Sequence, residues 1–232
     1  MTDLCYEEDA EQQCEEAVQA AMKFMDPTDG EPLADSLQTM ASLRLSQRRA
    51  NEAATLVLGA YQKMKCGCEA LSALVGLQKD DEVATQAVEL VDVDAANNLP
   101  GFEFRCQSAK ILLECATVLK EEDDGHASKI SEQAVQCSDA AIQVLGSLLA
   151  ENDEVIEVWY LMGCAFAAAP DLDGAAQYWG RTLEMLLKLK ESLEMGIDDD
   201  EERDQLQDVI VQIEDVRKRL EEIGHEGYVR EY

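Results

Sequence analysis

Cys66-Gly67-Cys68 is the closest approach in this sequence to metal-ligand spacing, and no second cysteine pair accompanies it. Both histidines, His126 and His225, lie far away along the chain, so the four-ligand set of a zinc site is not spelled out. The eight cysteines, at 5, 14, 66, 68, 106, 115, 137 and 164, make neither CxxC pairs nor the dense framework of a secreted disulfide scaffold. They read as reduced, mostly buried small apolar residues. Carboxylates stand side by side in Glu121-Glu122-Asp123-Asp124, but adjacent acids in a hydrophilic turn are solvated rather than catalytic. The run Asp198 to Glu202 lacks the spaced oxygen ligands and central glycine of a calcium loop. No phosphate-cradling glycine loop, HExxH or GxSxG is present, and two histidines leave little acid–base capacity near neutral pH. The residues therefore predict a protein that is not an enzyme and carries no metal or cofactor.

What remains is charge. Against 49 acidic side chains stand 19 basic ones, a formal net charge of −30, which repels nucleic acid and anionic membrane and attracts polycations. A basic protein segment is the partner that this balance fits. Met1 to Gln13 carries five acids and no basic or long apolar run, so it does not read as a secretory or transit sequence. No stretch reaches the twenty or so apolar residues of a membrane span. The expected compartments are cytoplasm and nucleus, and the expected state is a monomer.

The elements that must carry this charge are helical. Apolar residues make up 47% of the chain and prolines number only 4, so helix formers dominate. Tyr6 to Met25 reads as an acidic helix, broken by Asp26-Pro27-Thr28-Asp29-Gly30. Leu33 to Ser46, a turn at Gln47 to Arg49 and a helix to about Lys65 make an antiparallel hairpin. Glu69 to Gln78 with Glu82 to Asp94 predicts a second, closed by Asn97-Asn98-Leu99-Pro100-Gly101. Phe102 to Leu119 with Ala127 to about Ala150, and Val155 to Ala169 with Leu172 to about Met195, predict two more. A final helix carries Leu206, Val209, Ile210, Ile213, Val216, Leu220 and Ile223 at steps of three and four, the single stripe of a cap over a stacked array. The tail after Gly224 reads as flexible.

Trp159, Met162, Gly163 and Phe166, followed by Ala175, Trp179 and Thr182, carry the spacing of a 34-residue helix-turn-helix repeat in which small residues sit where the helices cross. Gly163 and Ala175 are the expected crossing pair. Leu37, Met40 and Ala41, answered by Ala53, Val57 and Ala60, match at the same offsets. The predicted fold is all-α: a TPR-like right-handed superhelix of stacked antiparallel hairpins with a C-terminal capping helix. Its expected parts are an acidic N-terminal helix and linker (1–32), the repeat domain (33–195), and an acidic linker, capping helix and tail (196–232). In this register the second residue of each first helix faces a concave groove, which places Asp35, Glu69, Glu103 and Glu157 there, with Tyr160 beside Glu157. Carboxylates with an aromatic ring suit Lys and Arg through charge-assisted hydrogen bonds and cation–π contact.

Phe102-Glu103-Phe104-Arg105 through Ala109-Lys110-Ile111-Leu112-Leu113-Glu114, Ala140-Ala141-Ile142-Gln143-Val144-Leu145, and Glu154-Val155-Ile156-Glu157-Val158-Trp159-Tyr160-Leu161-Met162-Gly163 resemble the eukaryotic dedicated assembly chaperones of ribosomal protein L4. The resemblance spans roughly Leu33 to Met195. It implies a non-enzymatic escort that shields the basic internal loop of newly made L4 and accompanies it to the assembling large ribosomal subunit. Two other readings fit a helical repeat: an adaptor holding the acidic tail of a heat-shock chaperone through Arg44, Arg48, Arg49, Lys63 and Lys65, and a scaffold for other partners.

Overall fold

The computed structural model describes residues 12–13, 15–20, 30–78, 99–123, 132–196 and 200–224, and all regular structure among them is α-helix. Seven helices follow a short helical segment at 15–20: α1 (Gly30–Ser46), α2 (Ala50–Gln78), α3 (Phe102–Asp123), α4 (Glu132–Glu151), α5 (Ile156–Ala168), α6 (Leu172–Gly196) and α7 (Asp200–Glu222). They fall into two compact units, residues 1–151 and 152–232.

The first unit is built from two hairpins. Helix α1 buries Ala34, Gln38 and Ala41, one face at steps of four and three, and ends in a Schellman turn. The Arg49 N–H donates to the Arg44 carbonyl at 2.8 Å and the Arg48 N–H to the Leu45 carbonyl at 2.9 Å. Arg48 takes the left-handed conformation there, with φ 58°, where glycine is usual. Helix α2 then runs back along a stripe of Ala50, Ala53, Val57, Ala60, Met64 and Cys68. It does not stop at Lys65: one helix of 29 residues, about 43 Å long, continues through Cys66-Gly67-Cys68 to Gln78. The expected break there fails because one helical glycine costs only about 1 kcal/mol, while Met64 and Cys68 keep the buried stripe in register. Glu69 to Gln78 is thus the end of α2 and not the first helix of a separate hairpin, and the expected partner at 82–94 lies outside the described residues.

The second hairpin, α3 and α4, is tied at its open end by Arg105, 2% exposed. Its Nη1 donates to Ser147 Oγ at 3.0 Å, its Nε to the Pro100 carbonyl at 2.9 Å, and its Nη2 pairs with Glu151. The start of α3 therefore meets the end of α4, as antiparallel packing requires. The hairpins stack in the same sense. Ser108 Oγ of α3 donates to Gln38 Oε1 of α1 at 3.2 Å, and Gln133 Nε2 of α4 donates to Thr55 Oγ1 of α2 at 3.2 Å. First helix lies beside first helix and second beside second, and α2 packs against both members of the second hairpin. The small residues on its stripe permit that close approach.

The second unit is a hairpin plus one helix. Asp171 caps α6, its Oδ1 accepting the Gly174 N–H at 2.9 Å. Gly163 of α5 lies under the Trp179 indole and Gly174 of α6 under the Phe166 ring, so each helix gives a glycine to the other's aromatic residue. The Trp179 indole is thus the nearest side chain over Gly163. Ala175 sits with Ala176, Trp179, Leu183 and Leu186 in a core that α7 completes with Val209, Ile213, Val216 and Leu220. Of the predicted stripe on α7 these four are buried, while Leu206, Ile210 and Ile223 are half-buried. Gly224, φ 79°, ends α7 in the left-handed conformation.

Candidate partner-binding surface

Asp35 and Glu103 are exposed near the same end of α1 and α3, the two neighbouring first helices of the first unit. Down the exposed face of α3 follow Gln107, Glu114 and Thr117, so this layer offers carboxylates spaced among neutral polar groups. Glu69 is also exposed but belongs to the other layer. As an interior residue of α2 it sits 3.8 Å from Lys65, so the expected register at this position is corrected along with the helix boundary.

In the second unit Glu157 is the second residue of α5 and is exposed, as the repeat register expects. Tyr160 faces α7. Its hydroxyl donates to Asp215 Oδ2 at 2.8 Å, and Arg219 Nε donates to the same oxygen at 2.9 Å. The Arg219 guanidinium lies 5.3 Å from the Tyr160 ring centre and 5.7 Å from that of Trp179. Burial would raise the Asp215 carboxyl, but hydrogen bonds from Arg219 and Tyr160 overrule it and hold the group below its ordinary range. Burial first, then the Cys164 thiol and Asp215, push the Tyr160 phenol well above its usual value. Tyr160 thereby joins α5 to α7. Sequence offers no signal for this contact, since Asp215 lies 55 residues away.

Two further features escaped the sequence reading. Arg44, on the buried side of α1, donates to Glu15 through Nη1 at 2.7 Å and Nη2 at 2.5 Å, in a fork between residues 29 apart. These bonds hold the Glu15 carboxyl below the usual carboxylate range. Beside the pair, Gln19, Met40, Leu56 and Gln133 border a cleft of about 540 Å³.

Among the described residues no three His, Cys, Asp or Glu side chains are grouped to hold a metal ion. Cys68, Cys106, Cys115 and Cys137 are buried, and burial pushes the Cys115 and Cys137 thiols up to about 12, where the reactive thiolate is scarce. Among the described residues no helix is long and apolar enough to cross a membrane. Residues 1–151 hold 28 acids against 11 bases and residues 152–232 hold 21 against 8, so both units share the negative charge.

Fold and surface together define an acidic, all-helical protein whose first unit stacks antiparallel hairpins and which presents carboxylates to solvent. Among curated proteins the chain is similar to one named "Probable assembly chaperone of rpl4" from Schizosaccharomyces pombe, with 30% identity over 163 residues, 70% of this chain and 34% of that protein. It is also 27% identical over 96 residues to "Protein NASP homolog 1" of Caenorhabditis elegans, 39% of this chain and 25% of that protein. The matches thus span about a third and a quarter of the length of these relatives. No protein-family model matches the chain, and no solved structure matches it significantly. The chain is a distant homologue of a protein named as a chaperone.

Proposed function

We propose that this protein is a non-enzymatic chaperone, monomeric, that holds the basic internal loop of newly made ribosomal protein L4 and escorts it to the assembling large ribosomal subunit. The observation that carries the reading is the charge of −30 shared by both units. An exposed polycationic loop sticks to RNA and aggregates until an acidic surface masks it, and an acidic protein neither competes for that RNA nor seeks anionic membrane. The similarity to a relative named for rpl4 supports the client. We read the hairpins as TPR-like units, supported by the stacking of first on first and second on second helices in residues 30–151. Asp35, Glu103 and Glu157 are the carboxylates that take the client's Lys and Arg, with Tyr160 placed to shape the wall beside Glu157. Such an escort works in the cytoplasm, where the client is made, and in the nucleus, where it is installed.

The adaptor reading for acidic tails finds less support. Arg44 is engaged by Glu15, Arg49 by Glu52 at 2.6 Å and Lys65 by Glu69, so the chain's own carboxylates take three of the five cations that reading needs.

Affinity capture of the protein from its native cell, followed by mass spectrometry, tests the client. L4 should dominate the recovered partners, and its absence would leave a scaffold without that client. Asp35→Lys with Glu103→Lys should weaken binding of a peptide copying the L4 loop by roughly tenfold with circular dichroism unchanged, as repulsion replaces attraction at two positions. Unchanged affinity would move the site off this layer.

A further inference from the structure

Among the described residues, the Glu15–Arg44 fork fastens the helical segment at 15–20 to the first unit. Glu16, Ala17, Gln19 and Ala20 are exposed and Val18 is only partly covered. Gln19 of the segment borders, with Met40, Arg44, Leu56 and Gln133, the cleft beside the fork. Removing a partner from a buried guanidinium is ordinarily costly because a charge is left uncompensated. Arg44, 6% exposed, is provided for. Gln47 Oε1 already accepts from its Nη1 at 2.9 Å, and Glu52 Oε2 lies 3.4 Å from its Nε. Arg49 holds that Glu52 carboxylate in place with bonds of 2.8 and 2.6 Å. If Glu15 leaves, an amide oxygen and a second carboxylate stay in reach of the guanidinium.

We propose that residues 15–20 are a displaceable strap at the edge of the Arg44 cleft, which a polycationic partner releases by taking the Glu15 and Glu16 carboxylates. This rests on the reading of the protein as a binder of basic segments. The strap's end of the chain attracts such a partner, since Met1 to Gln13 adds five acids and no base. Closing the strap and binding the polycation compete for one carboxylate, so the two equilibria are linked: the partner releases the strap, and the Arg44 fork weakens the partner's binding by the same factor. Release withdraws Gln19 from the border of this cleft, whose lining includes apolar Met40 and Leu56 beside polar Thr55 and Gln133, at the moment the client is engaged.

Hydrogen exchange of the full chain, read on the amides of 15–20 with and without a nona-arginine peptide, tests this. Exchange in this stretch should be slow in the free protein, should speed up in Glu15→Gln, and should reach the same rate in the unaltered chain when nona-arginine is added. Arg44→Met, which removes the fork without orphaning a charge, should bind nona-arginine roughly three- to tenfold more tightly because the closed state no longer competes. Binding without any change at 15–20 overturns the strap and leaves the polycation reading standing. Exchange at 15–20 that is equally fast in the unaltered chain and in Glu15→Gln overturns it too, since nothing is then latched. Failure of nona-arginine to bind at all overturns the polycation reading and the strap with it.

Discussion

Gly163 of α5 lies against the indole of Trp179 on α6, where a single added carbon would overlap the five-membered ring. The contact is reinforced by the Trp179 Nε1–H, which donates to the Tyr160 carbonyl at 3.3 Å, so the indole cannot swing aside without losing a hydrogen bond. Gly163→Ala should therefore destabilise the second unit by about 1–3 kcal/mol, the usual cost of overpacking a tight crossing. Thermal unfolding followed by circular dichroism would register a clear fall in Tm. An unchanged Tm would mean that the hairpin can open without cost.

The Tyr160–Asp215–Arg219 contact makes a second prediction. Tyr160→Phe should cost about 1 kcal/mol, the net worth of one hydrogen bond, and a double-mutant cycle with Asp215→Asn should show the two changes to be non-additive.

The same contact sets a pH dependence. Because the folded Asp215 carboxyl is held low, its contribution is present above the unfolded value of about 3.9 and is lost as pH falls through the lower folded value. Because the Tyr160 phenol is held high, its contribution is present below about pH 10 and is lost as pH rises further. Urea unfolding of the unaltered chain and Tyr160→Phe at neutral and strongly alkaline pH checks this. The gap between the two proteins should narrow as Tyr160 ionises in the unfolded chain.

At the end of α1, Arg48 occupies a left-handed position that costs a side chain about 1 kcal/mol. Arg48→Gly should relieve it, raising stability by up to about 1 kcal/mol less the greater freedom of glycine in the unfolded chain. A fall in stability would show that the Arg48 side chain makes a contact worth more than the strain.

Much of this fold is legible in the residues, and what is not has identifiable causes. Pro170-Asp171 and the Trp-Gly-Phe spacing mark the α5–α6 hairpin because a turn breaker and a small-on-large crossing both leave local traces. The expected end of α2 at Lys65 differs from the observed one because tertiary burial of Met64 and Cys68 carries the helix through Gly67, outweighing the weak propensity of one residue. Exposure of Asp35, Glu103 and Glu157 follows from helical periodicity. The partners of Tyr160 and Arg44 do not, since each comes from a helix far along the chain and periodicity says only which face a residue occupies.

The central claim is that an acidic surface holds a basic segment, and ionic strength tests it most directly. A labelled peptide copying the basic loop of L4 should bind tightly at low salt and lose roughly tenfold or more in affinity at several times that ionic strength, as screening shortens the reach of exposed charges to about 8 Å and below. Affinity that holds constant across the salt range would contradict the account.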